Sequence, residues 1–583
     1  MRTTASSMDP RAAVKLLGFS LLAAWWLAYF PLPFLEFYKE WVFVTGLAVA
    51  ALLGLRPVPL RDVARHPLFL GAAALAVVAV LQAALRPEHA PRVALYLGYL
   101  GLFLVALCSG VGMRRQFGGR ATVFLAGTML IGVVGCVFFA ALQLNFIEFD
   151  WPFVAGRTRR VTANLAQANH LANLLWLGAL AAAYLAVKRV VEPWAVGLVL
   201  LLVLVFVHLT GSRMPWLYAM VTLCLGLLAW LRGSQPAVKK LGPWLVGMAL
   251  GFAGLAPVLS LAGVADFFGM SSGGTRLSQT GHGSSDSKRL WYWHVALDAA
   301  SQEPWLGVGA GRYVGHGLEM SMADERSPEQ GATSHAHNIS LQLAAEFGIP
   351  AALAVTAAVG FWLFQALRRS RHSPEALFAA ACGCVLLIHS MLEFPFWYAY
   401  FLGLFGLIAG LAAEPENDPS PAVWREQRVL PVMLLAGAIA AHALVRPLEN
   451  AMQIVMLQVG VGGAPQPAPG IRNALLKVPP WSPYGDWAEA LDLMTALPTL
   501  ETAEGLAVRC DRALHFAPSP YVLARCATVH QVAGDEKRAS QLANALCKLF
   551  PASDLTLIQS MEFVQRVSPA AGYIVSDCVE RLD

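Results

Sequence analysis

The chain has 583 residues, 57% of them hydrophobic and only 14% charged, with a mean hydropathy of +0.55 and a formal net charge of +5. That is far more apolar surface than a water-soluble fold of this length needs, so the composition points to a polytopic, all-helical membrane protein. The small positive balance is explained by retention of basic residues on one side of a membrane and gives no nucleic-acid footprint.

A bilayer-spanning helix needs about 20 mostly apolar residues, and about thirteen such stretches lie between Val14 and Leu444. Their centres fall near Leu22, Leu47, Leu75, Leu102, Leu130, Trp176, Leu200, Cys224, Leu250, Ala354, Leu386, Phe405 and Gly437. The first, "FSLLAAWWLAYFPLPF", lacks a small-x-small cleavage pattern and is expected to be an anchor rather than a removed signal peptide. Short cytoplasmic loops keep Lys and Arg. Alternate loops divide these residues unevenly, nineteen against seven, the minority being Lys39, Arg86, Arg92, Arg157, Arg159, Arg160 and Arg213. The N-terminus is therefore expected on the cytoplasmic side of a bacterial inner membrane. The long loop within 263–338 and the tail after Arg446 are expected on the periplasmic side.

Four of the seven outward basic residues crowd into two loops, "GRTRRVTANLAQANH" and "LTGSRMPW". In the first, Asn164, Gln167 and His170 recur every third position, so each lies beside the next if the segment is helical. Asn169 stands among them. Polar groups at membrane depth are costly and face a bundle interior or a wet cavity; here they read equally as helix-packing bonds or as a sugar or phosphate site. Arg213 opens a span. Arg289 lies in "SSDSKRLWYWHVAL", where Trp291 and Trp293 suit an interfacial helix. Each arginine alone reads as snorkelling. Together Arg157, Arg159, Arg160, Arg213 and Arg289 supply the guanidinium donors that a pyrophosphate near a bilayer needs in place of water.

His335 and His337, in "SHAHNISLQLAAEFGIP", stand two apart and cannot form the i, i+4 metal pair of a helix. No D-x-D pair and no external Cys/His cluster with zinc spacing occurs, so no metal is indicated, although Asp266, Asp286, Asp324 and Glu325 offer carboxylates on the long loop. A histidine at a helix entrance reads either as a cap or as a base able to take a proton from a hydroxyl; the setting favours the base. The tail, set off by "GVGGAPQPAPG", reads as a separate helical domain, with the boundary at 446/447. Its Ala-rich stretch ending near Pro518 and Pro551 resembles a tetratricopeptide-type helix pair. Its cysteines, Cys510, Cys526, Cys547 and Cys578, allow one or two disulfides, with three possible full pairings.

The order "ANLAQANHLA", "TGSRMPW", "SSDSKRLWYWHVALDAASQEPWLGVGAGRY", "SHAHNISLQLAAEFGIP" and "HSMLEFPFWYAYF" is similar to the bacterial O-antigen ligase and protein O-oligosaccharyltransferase superfamily, across about Arg157 to Phe401. The last segment and the helical tail are closer to the protein-glycosylating branch. The resemblance implies a GT-C-like helical transferase domain over 1–446, a periplasmic active site and a glycan donor on undecaprenyl pyrophosphate. The family's histidine falls on His337, followed by Asn338, and its arginines on Arg213 and Arg289; His335, His389 and Glu393 match as supporting residues. Glu393 either orients a histidine or pairs within the bundle. Gly307, Gly309 and Gly311 belong to the same external segment; they follow no strand and so do not read as a nucleotide loop.

The function so implied is en bloc transfer of an oligosaccharide to Ser or Thr hydroxyls of exported proteins, inverting, with no metal or other cofactor. An O-antigen ligase using lipid A core as acceptor and a related polymerase share this chemistry. A lipid-linked glycan transporter is the alternative of a different class, and the expected inverted repeats of such a fold are not seen.

Overall fold

The computed structural model describes residues 9–27, 36–55, 58, 63–144, 160–165, 167–261, 285–324, 327, 333–413, 428–460 and 465–550. Among these residues all regular structure is helical. Each of the thirteen expected centres lies inside a helix, but only eight of the helices are long and apolar enough to cross a membrane. Pro193–Leu209, Pro374–Ser390 and Ala399–Leu411 are apolar but shorter. Pro10–Trp26 has 17 residues, and Glu36–Leu53 carries Glu36, Lys39 and Glu40. Apolar runs thus predict which segments are helical better than how far each helix extends.

Local signals set many helix starts. Asp9 and Ser373 accept from the amides of Arg11 and Ala376, each ahead of a proline at the first helical position. Ser519, ahead of Pro520, accepts from the amide of Val522, and Asp535 caps Glu536–Leu549 by accepting from the amide of Arg538.

The chain divides into two compact units, Met1–Ala73, Gly98–His282 and Val355–Ala438 in the first, and Ala74–Leu97, Gly283–Ala354 and Ile439–Asp583 in the second. The first is organised around Ala168–Val187, which is buried along nearly its whole length. Small residues bring its neighbours close, and a few polar side chains fix its register. Trp176 Nε1 donates to Thr222 Oγ1 at 3.1 Å, and Tyr184 donates to Glu375 at 3.1 Å while its ring stacks on Phe378. Elsewhere in this unit Ala90–Phe117 and Ala399–Leu411 cross at glycines: a Cβ on Gly410 would strike the carbonyl of Leu107 and approach Gly110 Cα at 2.9 Å. Close backbone approach through small residues is how helices associate where lipid supplies no hydrophobic drive.

In the second unit, Leu318 of Tyr313–Ala323 sits in one core with Cys510, Leu514, Leu523, Cys526 and Leu546 of the tail helices. Arg538 reaches Glu319 at 2.8 Å, and Lys548 Nζ donates to the carbonyls of Ser321 and Asp324. Arg92 pairs with Asp486 at 2.7 Å beneath the Phe516 ring. A disulfide joins Cys510 and Cys526; Cys547 is also disulfide-bonded, and Cys578 lies outside the described residues. Trp291, expected at the membrane surface, is instead buried against Val295, Ala296 and Ala299.

Gly410→Leu is expected to lower the thermal midpoint of the detergent-solubilised protein, the overpacking costing about 1–3 kcal/mol. Gly127→Ala, where a Cβ meets nothing within 4 Å, is the control expected to leave it unchanged.

Candidate functional site

The first unit gathers one set of expected residues around Glu393. Gln143 accepts the amides of Thr162 and Ala163 at 3.0 and 2.7 Å, which fixes the loop leading to a short turn at Ala163–Leu165. Arg160, at the start of that loop, donates from Nε to the carbonyl of Thr210 at 2.7 Å and from Nη2 to Asn169 Oδ1 at 3.0 Å. Asn169 Nδ2 passes the contact on to Glu393 Oε1 at 2.8 Å, and Gln167 Nε2 donates to Oε2 at 3.2 Å. Glu393 is buried, so both carboxylate oxygens need such donors. Arg213 belongs to the adjoining turn after Thr210 and precedes the helix Pro215–Arg232. The Asn169 side chain thus bridges the Arg160 guanidinium and the Glu393 carboxylate.

His389 takes part from the end of Pro374–Ser390, its Nδ1 2.8 Å from the Tyr218 hydroxyl. His170 is fully buried within aromatic rings, 4.5 Å from Tyr398, 5.3 Å from His389 and 5.5 Å from Phe401 between centroids. Neither ring nitrogen of His170 has a hydrogen-bond partner among the described residues.

The expected helical stripe Asn164–Gln167–His170 is corrected. The helix begins at Ala168 with Gln167 as its cap, and Asn164 lies in the separate turn before it. Asn164 Nδ2 donates to the carbonyl of Trp26 at 2.7 Å, and its own carbonyl accepts from the buried Lys39. Its observed bonds are those of the scaffold. Arg157 and Arg159 lie outside the described residues.

The second unit holds the other set. Asn338 caps Ile339–Phe347, accepting from the amide of Leu341 at 3.2 Å. Gln342 Oε1 accepts from the amide of Ala336 at 2.6 Å. Between these two fixed points His337 takes a φ of 52°, a left-handed conformation uncommon for a residue with a side chain. Its ring stacks on Tyr292, with centroids 5.5 Å apart and planes 20° apart. Tyr292 stands three residues after Arg289 on the helix Ser285–Gln302, and its carbonyl accepts from Tyr313 at 2.9 Å. Burial raises the pKa of Tyr292, and the Arg289 guanidinium opposes the rise. The His337 ring thus lies against an aromatic side chain three residues after Arg289 on the same helix. His335 precedes them, its amide 3.4 Å from Thr333 Oγ1.

Behind this loop lies a network that sequence reasoning missed. Gln342 Nε2 donates to Glu346 Oε1 at 3.0 Å, and Tyr96 donates to Oε2 at 2.7 Å. Gln82 donates to the carbonyls of Leu306 and Glu346. The glycine segment closes on the same helix end, Val308 N donating to Ala345 O at 2.8 Å and Gly309 N to Glu346 O at 3.2 Å. Gly309 has a φ of 114°, and a Cβ there would run into the His89 ring. These glycines thus build the support of the His337 loop. Among the described residues no three His, Cys, Asp or Glu side chains converge as metal ligands.

Residues 198–356 match the family described as O-antigen ligase, and residues 377–561 the family described as virulence factor membrane-bound polymerase, C-terminal. Over residues 198–356 the chain is similar to the O-antigen ligase family. It is similar to the general O-oligosaccharyltransferase of Acinetobacter baylyi, 26% identical over 358 residues, covering 58% of this chain and 60% of that protein. The ComP-specific O-oligosaccharyltransferase of the same organism is 24% identical over 296 residues, covering 48% and 51%. The exopolysaccharide production protein ExoQ of Rhizobium meliloti is 26% identical over 193 residues, covering 32% and 42%. The chain thus matches between about two fifths and three fifths of the length of these relatives.

Burial pushes the Glu346 carboxyl from 4.5 up to about 7, against the pull of Tyr96, Gln342 and the amides of Gly311 and Tyr313. The folded state then holds a proton that the unfolded chain releases near 4.5, so stability of this element is full below that pH and declines as pH rises towards 7. Hydrogen exchange of the Ile339–Phe347 amides is expected to show this slope, and Glu346→Gln is expected to flatten it.

Proposed function

We propose that the chain transfers a preassembled oligosaccharide from undecaprenyl pyrophosphate to Ser or Thr hydroxyls of exported proteins, on the periplasmic face of a bacterial inner membrane. The observation that carries this reading is the stacking of His337 on Tyr292 one helical turn from Arg289, in a chain similar to two O-oligosaccharyltransferases. His337 removes the proton of the acceptor hydroxyl, whose oxygen forms a bond to the anomeric carbon of the first sugar. The bond from that carbon to the pyrophosphate breaks, and the lipid diphosphate leaves with its charge held by arginines, Arg289 and Arg213 foremost and Arg160, Arg157 and Arg159 in support. A single displacement inverts the anomeric configuration. The scheme uses no metal or other cofactor.

The supporting roles follow the observed contacts. Glu393, with Gln167 and Asn169, orients Arg160. Asn338 holds the loop that presents His337. His389 shapes the Tyr218 corner, while His170 packs the wall. A GT-C-like bundle of thirteen spans and a tetratricopeptide-like tail belong to the same reading. A polymerase, joining one lipid-linked glycan to another, is the second reading, favoured by the match of residues 377–561 to a membrane-bound polymerase family.

Deleting the gene is expected to abolish a glycoprotein stain of periplasmic proteins and to leave the lipopolysaccharide ladder unchanged. Loss of the ladder with an intact stain identifies the ligase, and loss of long-chain polymer alone identifies the polymerase. In the complemented strain, Arg289→Ala is expected to reduce transfer at least about tenfold, the cost of one lost charge-assisted pair.

A further inference from the structure

At the end of the first unit's bundle away from His170 and His389, Ala90–Phe117, Ile349–Ser370 and Ala399–Leu411 finish, and Pro374–Ser390 begins, around a cavity of about 570 Å³. Helix direction fixes this separation, because Pro374–Ser390 carries Glu375 at one end and His389 at the other, roughly 21 Å apart at 1.5 Å per residue. The wall presents Arg114, Arg368, Arg369 and His372, with Glu375 as the only carboxylate among the described residues that line it. Glu375 is already committed, to Lys188 at 2.5 Å, Ser373 Oγ at 2.9 Å and the Tyr184 hydroxyl at 3.1 Å. The guanidinium charge on the cavity is therefore not neutralised by this carboxylate.

Retention of basic residues at cytoplasmic helix ends accounts for arginines here, but a retained arginine ordinarily turns its head to water or headgroups. Arg114 does otherwise: its Nη1 is buried and has no hydrogen-bond partner among the described residues. Arg368 lies 5.6 Å over the Phe364 ring and makes no ion pair among the described residues. Arg369 donates to the carbonyl of Ala412 at 3.5 Å. Like charges gathered around a cavity repel one another, and a multivalent anion relieves that repulsion through charge-assisted, forked hydrogen bonds. Leu411 and Ala376 add apolar wall beside the cations, which suits a charged head on an apolar body.

We propose that this cavity binds a phosphate ester through Arg114 and Arg368, at the end of the first unit's bundle away from His170 and His389. Basic pockets between membrane helices on the cytoplasmic side accept anionic lipid headgroups, and a soluble phosphate ester offers the same oxygens. Native mass spectrometry of the full chain in mild detergent, titrated with phosphatidylglycerol, phosphatidylcholine or glycerol 3-phosphate, tests the site and its source. One saturable, tight adduct with phosphatidylglycerol but not phosphatidylcholine identifies a lipid headgroup; one with glycerol 3-phosphate identifies a soluble ester. The Arg114→Gln, Arg368→Gln double variant is expected to weaken that adduct roughly tenfold or more, and Arg120→Gln, an exposed arginine off the cavity, to leave it unchanged. Should the double variant not fold, Arg368→Gln alone, at an exposed side chain, is expected to weaken it several-fold. Equal weakening by Arg120→Gln, or none by the cavity variants, overturns the proposal.

Discussion

Hydrocarbon offers no hydrogen-bond partner, so polar groups near a bilayer must be answered from within the protein, and that constraint organises both candidate clusters. The same device is used twice. Glu393 is held by the amides of Asn169 and Gln167, and Glu346 by Gln342 together with the Tyr96 hydroxyl. Amides satisfy buried oxygens, and Asn169 joins Glu393 to the Arg160 guanidinium.

The second relay gives the His337 loop its rigidity. Gln342 faces both ways, accepting from Ala336 and donating to Glu346, while Asn338 closes the loop from the helix side. A non-glycine residue at positive φ persists only where its surroundings over-determine it. Here the surroundings are a cap, a glutamine clamp and a stacked tyrosine. The tail helices continue this support outward through Leu318, Glu319 and the carbonyl of Ser321, which ties Tyr313–Ala323 to the C-terminal region.

Much of this was legible in the sequence. Apolar period and length located the helices, and Asp9–Pro10 and Ser373–Pro374 announced two of their starts. The order of polar motifs marked Arg289, His337 and the Gln167–Asn169–Glu393 group. Local spacing misled where the backbone broke period: reading Asn164 onto the helix overlooked the turn at Ala163, whose φ of 46° no propensity rule anticipates. Trp291 was read as an anchor because tryptophan suits interfaces, yet its face of the helix is the packed one. Gln342 and Glu346, four apart in an otherwise apolar helix, were a visible signal of buried polarity. Gln82 and Tyr96 were not visible, since more than two hundred residues separate them from the groups they satisfy.

The reading of the chain as a transferase rests on an imidazole that makes an acceptor alcohol nucleophilic, distinct from groups that only grip the donor. Purified protein carrying His337→Ala, supplied with a lipid-pyrophosphate oligosaccharide and a hydroxyl-bearing acceptor, separates those roles in one assay. The account predicts that the variant retains donor affinity while transfer falls by at least about a hundredfold. Transfer at the wild-type rate would contradict it.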